Sequence, residues 1–311
     1  MKNRKKMLSI LLSALLVLSL PACGGSETQN GSGTANETGT DSLSGTEGAD
    51  GEDSPSGTAD ETVDESKTTD GPVELYVFAA ASLTEPLDEI IALYRDTAPN
   101  VTVIPTYDSS GTLKTQIQEG AVCDIFISAA QKQMNQLDAA AGDANSEGLD
   151  FVLQGTRRDL LENRVVLTVP ANNPKDIQSF ADLGTEKLEL LCIGNEDVPV
   201  GAYSLELLTR LGILEQLEAE GKLTYGSNVK EVAAQVTEGT VDAGIVYATD
   251  AFSAGLTVVD EAGEDLVGPV VYPAAVLNIT QHEDAARAFL DFLETDAAMD
   301  VFRSVGFAPA G

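Results

Sequence analysis

The chain has no tryptophan, one histidine (His282) and three cysteines (Cys23, Cys123, Cys192) in 311 residues. A lone histidine excludes a His-based metal centre and a Ser–His catalytic pair. Cys123 and Cys192 are expected in buried strands of different domains, where they act as small apolar thiols and not as a disulfide framework. Basic residues are also scarce: 18 Lys and Arg stand against 50 Asp and Glu, a net charge of −32. With no basic stripe after residue 72, nucleic acid is excluded as a partner. Neither G-x-S-x-G nor G-x-x-x-x-G-K-[ST] occurs in that part of the chain, which removes nucleophile-elbow and P-loop chemistry. The apolar run from Met7 to Leu20 is shorter than the roughly 20 residues of a stable membrane span.

That run still carries information. Lys2, Arg4, Lys5 and Lys6 precede it and Leu20-Pro21-Ala22-Cys23 ends it, so residues 1–22 read as an export signal. A cysteine directly after a small residue resembles the lipobox of bacterial lipoproteins. The resemblance implies that Cys23 becomes the acylated first residue, anchoring the protein at the outer face of the cell membrane. Residues 23–72 are this cysteine and an acidic Gly/Ser/Thr tether whose only branched apolar residues are Leu43 and Val63. Such a segment cannot bury enough surface to offset chain entropy, and as a disordered coil it spans roughly 35–40 Å root-mean-square. Residues 73–311 retain 13 basic and 38 acidic residues, a net of −25. Salt screens that field only beyond about 8 Å, so an anion bound here must be held by local donors.

From Val73 onward short apolar runs alternate with helical periodicity, the signature of an α/β fold. Strands are expected at Leu75–Phe78, Val101–Ile104, Asp124–Ser128, Arg164–Val169, Leu188–Ile193, Gly244–Tyr247, Leu256–Val259 and Ala274–Leu277. Leu87, Ile90, Ile91 and Tyr94 share one helix face, and further helices are expected over 112–119, 131–141 and 201–211, around Val229, Val232 and Val236, and around Phe289. Residues 73–163 form a first lobe and 164–252 a second. Residues 253–311 hold too few strands to stand alone and are expected to return to the first lobe. The chain then crosses between lobes twice, which makes a hinge.

Four helix starts mark the candidate site: Ala81-Ser82-Leu83-Thr84-Glu85, Asp108-Ser109-Ser110-Gly111-Thr112, Val198-Pro199-Val200-Gly201-Ala202 and Ser227-Asn228-Val229-Lys230. A helix start leaves backbone N–H groups unpaired and carries the positive end of the dipole, so it binds anions without a charged side chain. Ser82 and Ser110 also fit as ordinary N-caps, Ser82 through a capping box with Glu85. Tyr247, at a strand end, also fits as a half-buried core phenol.

Phe78-Ala79-Ala80-Ala81-Ser82-Leu83-Thr84, Asp124-Ile125-Phe126-Ile127-Ser128-Ala129 with Gln131-Lys132, Val198-Pro199-Val200-Gly201-Ala202-Tyr203, and Gly244-Ile245-Val246-Tyr247 with Asp250-Ala251 resemble, in order, the periplasmic molybdate-binding proteins of molybdate ABC importers. The likeness runs from about Val73 to Phe307. It implies a two-lobed type II periplasmic binding protein fold, each lobe a mixed sheet flanked by helices. The implied oxyanion ligands are the hydroxyls and amides of Ser82 and Ser110, the amides of Val200 and Val229, and the hydroxyl of Tyr247. That family often has alanine where Val200 stands, and the donor there is an amide in either case. Asp108, two residues before Ser110, is a departure and is expected to face solvent.

The function implied is a tethered, monomeric solute-binding lipoprotein that captures molybdate or tungstate without a cofactor or chemistry and delivers it to an ABC transporter permease. The alternatives are a receptor for sulfate, thiosulfate or phosphate on the same scaffold, an enzyme on a phosphorylated substrate using Asp108 or Asp250, and an adhesin on a stalk.

Overall fold

The computed structural model describes residues 71–311 apart from Glu264. The expected export signal, Cys23 and the tether as far as Asp70 lie outside the described residues. Among the described residues no helix is long and apolar enough to cross a membrane.

β1 (Val73–Ala80) is flanked by β2 (Val101–Asp108) and β3 (Ile125–Ile127), both parallel to it. Between β1 and β2 runs α1 (Thr84–Thr97), which buries Leu87, Ile90, Ile91 and Tyr94 as the periodicity requires. Its start differs from the expected capping box. Ala81–Leu83 form a single 3-10 turn, the helix begins at Thr84, and Ser82 is buried inside the turn instead of capping it. The Ser82 hydroxyl is drawn into a buried network described below, and the Thr84 hydroxyl instead donates to the Ala81 carbonyl at 2.7 Å. α2 (Ser110–Gln118) and α3 (Gln131–Leu137) cover the same sheet. α3 stops short of the expected Ala141 because the chain tightens into 3-10 geometry over Ala139–Ala144, with Gly142 at φ 57°. β4 (Arg158–Asn163) was not expected: Arg158, Asp159 and Glu162 obscure its apolar pair, Leu160 and Leu161.

The second lobe takes β5 (Val165–Val169), β6 (Leu191–Gly194), α4 (Pro199–Arg210), α5 (Leu214–Ala219), β7 (Leu223–Gly226), α6 (Val229–Thr237), β8 (Ala243–Tyr247), α7 (Ala248–Ser253) and β9 (Thr257–Glu261). β10 (Val270–Val276), α8 (Glu283–Leu293), α9 (Asp296–Ser304) and β11 (Ala308–Pro309) then complete the first. The two sheets run β11-β4-β10-β3-β1-β2 and β7-β6-β8-β5-β9. Both are mixed: β10 is antiparallel to β3 and β4, and β5 is antiparallel to β8 and β9.

The chain passes between sheets at Arg164, which joins β4 to β5, and again between Glu261 and Val270. The second passage corrects the expected return at 253. β9 pairs with β5 through Val166↔Glu261 and Val169↔Thr257, so residues through Glu261 belong to the second lobe. An apolar run such as Leu256–Val259 suits the edge of either sheet, and only strand pairing decides which. Cys123 and Cys192 are buried and unpaired. Burial pushes both thiols up, Cys192 to about 12, so neither is reactive at neutral pH.

Candidate functional site

The carboxyl ends of β1, β2 and β8 point toward the junction of the lobes, the usual ligand position in open α/β sheets. There Ala80, Ala81 and Ser82 meet Asp108, Ser109, Ser110 and Ala129 from the first lobe, and Val198, Pro199, Val229 and Tyr247 from the second. Together they line a cavity of about 10 Å³. That is about the room of one water molecule, far below the roughly 300–1,000 Å³ of pockets for organic ligands, so a larger guest enters only as the lobes part.

Ser82, Ser110, Val229 and Tyr247 are therefore brought together. Val200 does not line the cavity. It is the second residue of α4, and that helix start reaches the cavity through Val198 and Pro199. The local sequence explains the three helix starts. Ser109, not Ser110, caps α2 by accepting the Thr112 N–H at 3.1 Å. Pro199 occupies the first turn of α4, where its missing N–H costs nothing. Asn228 caps α6 by accepting the Glu231 N–H at 3.0 Å. With Ser109 as the cap, Ser110 is released from that duty. The amides of Ser110, Val200 and Val229 fall in first turns, where no preceding turn supplies a carbonyl.

The hydroxyls are oriented by buried partners. Ser110 Oγ accepts the Ala129 N–H at 3.0 Å, which leaves its own proton to donate. Ser82 Oγ and the Tyr272 hydroxyl share a hydrogen bond at 2.9 Å, and Asn163 Nδ2 donates to Tyr272 at 3.2 Å. With Tyr272 donating to Ser82, the Ser82 proton is left for a guest. The Tyr247 hydroxyl donates to the Ala129 carbonyl at 3.3 Å, a contact between lobes. Burial pushes the Tyr247 and Tyr272 phenols far above their ordinary range, so both remain protonated donors. Tyr272 and Asn163 were missed by sequence reasoning. Tyr272 and Ser82 are 190 residues apart, and nothing in either segment signals their pairing.

Asp108 corrects the expectation that it faces solvent. It lines the cavity half-buried, and its Oδ1 accepts the Ser109 N–H at 2.7 Å. Asp250, the other acid considered for catalysis, does not line the cavity. Among the described residues no group of His, Cys, Asp and Glu could hold a metal ion. The arrangement is a ring of hydroxyl and amide donors, suited to holding a small acceptor-rich guest.

Residues 75–308 match the family described as bacterial extracellular solute-binding protein. The chain is similar to a putative ABC transporter substrate-binding lipoprotein, YvgL, of Bacillus subtilis, at 36% identity over 81% of this chain and 91% of that one. It is also 36% identical to the molybdate-binding protein ModA of Escherichia coli, over 78% of this chain and 90% of that one. A solved substrate-binding domain of a putative molybdenum ABC transporter from Clostridium difficile superposes with a TM-score of 0.58 at 34% identity, covering 77% of this chain and all of the other.

Proposed function

The chain belongs to the bacterial extracellular solute-binding proteins, and from that premise we propose that it captures molybdate, and tungstate with it, between its lobes and delivers the anion to an ABC importer. The observation that carries this reading is the convergence of Ser82, Ser110, Val229 and Tyr247 on one small cavity lined by no cationic side chain. Relatives of similar length named as molybdate-binding support it.

The ligand set is the hydroxyls of Ser82 and Ser110 and the first-turn amides of Ser110 and Val229, with the Tyr247 hydroxyl turning its proton from the Ala129 carbonyl to the anion. Hydrogen bonds to a charged group contribute about 1.5–3 kcal/mol each, so several offset the dehydration of a dianion in a site closed to water. Amides and oriented hydroxyls only donate, which favours a fully deprotonated tetrahedral oxyanion. Sulfate is also fully deprotonated, so its discrimination from the larger molybdate rests on how far the lobes close around the anion. The protein acts as a monomer, without a cofactor and without transforming its ligand, held at the outer membrane face by acylated Cys23.

A second reading, hydrogen phosphate, draws on Asp108. A carboxylate lining the cavity can accept a hydrogen bond from the proton that hydrogen phosphate carries, whereas an oxyanion with no proton offers it only repulsion. Titration calorimetry against molybdate, tungstate, sulfate and phosphate separates the two. Molybdate and tungstate are expected to bind much more tightly than the others. Phosphate matching molybdate would reject the primary reading in favour of the second.

A further inference from the structure

Outside the cavity lining lies a buried carboxyl that oxyanion binding does not use. Asp250, in the first turn of α7, is 1% exposed, and neither of its carboxylate oxygens has a hydrogen-bond partner among the described residues. Its nearest cation is Lys230 of α6, whose Nζ stands 3.7 Å from Asp250 Oδ1. That lysine is engaged elsewhere: Nζ lies 2.5 Å from Glu85 Oε2, in the first turn of α1. Lys230 and Asp250 belong to the second lobe and Glu85 to the first. One ammonium thus serves two carboxylates, and the better contact is the one that joins the lobes. Lys230 also directly follows Val229, so the same helix turn brings the cavity amide and the clasp to the first lobe together.

We propose that Lys230 is a positioning residue for closure, clasping the second lobe to Glu85 of the first, and that Asp250 takes up a proton as the lobes close. When the lobes part, Glu85 withdraws with the first lobe and Lys230 stays beside Asp250, free to hold it as a carboxylate. When they close, Lys230 is drawn to Glu85, and Asp250 is left buried without a hydrogen bond. The groups facing Asp250 are Lys230 from α6, Glu85 from α1, Tyr247 at the end of β8 and Tyr272 from β10. Both phenols are neutral, so Lys230 is the only one of these that favours the charged carboxylate. A dianion arriving in front of Tyr247 adds further negative potential.

The sign follows from linkage. In the closed arrangement Asp250 is raised to about 7, first by burial and then by Glu85, with Lys230 opposing. With Lys230 wholly its own in the parted form, Asp250 ionises more easily. The closed form therefore binds the extra proton, and closure is favoured as pH falls through 7 and disfavoured as it rises. One proton limits the effect to about tenfold in affinity per pH unit.

The test has two arms, both on the full chain, and only the second rests on the oxyanion reading. In the first, fluorophores on cysteines introduced at exposed Leu93 of the first lobe and exposed Tyr225 of the second report the interlobe distance with no anion added. The distance is expected to shorten between pH 8 and pH 6, and Glu85→Gln, an exposed change, should abolish the response. An unchanged wild-type distance, or an equal response in Glu85→Gln, overturns the clasp. In the second arm, molybdate is titrated near pH 7 in buffers of different ionisation heat. Uptake of up to one proton per anion is expected in the wild type and none in Asp250→Asn or Glu85→Gln. Molybdate binding without proton uptake overturns the role of Asp250. Failure of the wild type to bind molybdate would reject the proposed ligand, and the first arm would still decide the clasp.

Discussion

Ser110 illustrates how one hydroxyl serves both fold and site. Its oxygen accepts from the buried Ala129 N–H, and its proton is left for the cavity. Replacing it with alanine removes a proposed ligand donor and also strands an amide. Ser110→Ala is expected to weaken molybdate binding by about 1–3 kcal/mol, roughly five- to 150-fold, as read by calorimetry. The stranded amide should also lower the melting temperature of the anion-free protein. Unchanged affinity with a lowered melting temperature would leave Ser110 as a structural residue only. Ser109 next to it also lines the cavity, but its hydroxyl both accepts the Thr112 N–H and shares a 2.8 Å hydrogen bond with the Thr112 hydroxyl. Sequence pattern marks both serines as candidates for a helix start. It cannot say which one caps, because that depends on where the first helical dihedral falls.

At the scale of elements, two glycines separate closing from folding. The Gly111 N–H donates to the Asp197 carbonyl at 2.9 Å, joining α2 to the loop before α4 in the other lobe. A Cβ at Gly111 would stand 2.5 Å from that same oxygen. Parting of the lobes relieves this clash, so Gly111→Ala should leave the anion-free melting temperature nearly unchanged. It should weaken anion binding by about the 1–3 kcal/mol that overpacking costs. A Cβ at Gly201 would stand 2.3 Å from the Gly194 carbonyl and 2.4 Å from that of Asn195, both in its own lobe. No hinge motion relieves that contact, so Gly201→Ala should lower the melting temperature by roughly 3–10 °C. Equal melting curves for the two variants would refute the distinction. The elements themselves were legible where one periodicity dominated, as in α1 with its four buried apolar positions. β4 and α9 were not anticipated, since charged residues interrupt the first and the second is only nine residues long and follows α8 after two residues.

For the whole molecule, an excess of 25 negative charges over residues 73–311 surrounds a site proposed for an anion. The donors act within the closed cavity, while the field acts on approach. The association rate constant for molybdate, measured by stopped-flow, is therefore expected to rise between roughly 10 and 150 mM salt, as the screening length shrinks from about 30 to about 8 Å. A rate falling with salt would show that a local cationic path outweighs the net charge. The sequence by itself determined the alternation of strands and helices and the segments in which the helices begin. Those follow from periodicity and from residues whose preferences are local. The tertiary structure alone decided that Ser82 leans on Tyr272, that Asp108 lines the cavity, that β9 stays with the second sheet, and that Lys230 stands between Glu85 and Asp250. Each of these is a contact between residues distant in the chain, set by which strands pair and which helix ends meet, and local preference carries no record of that.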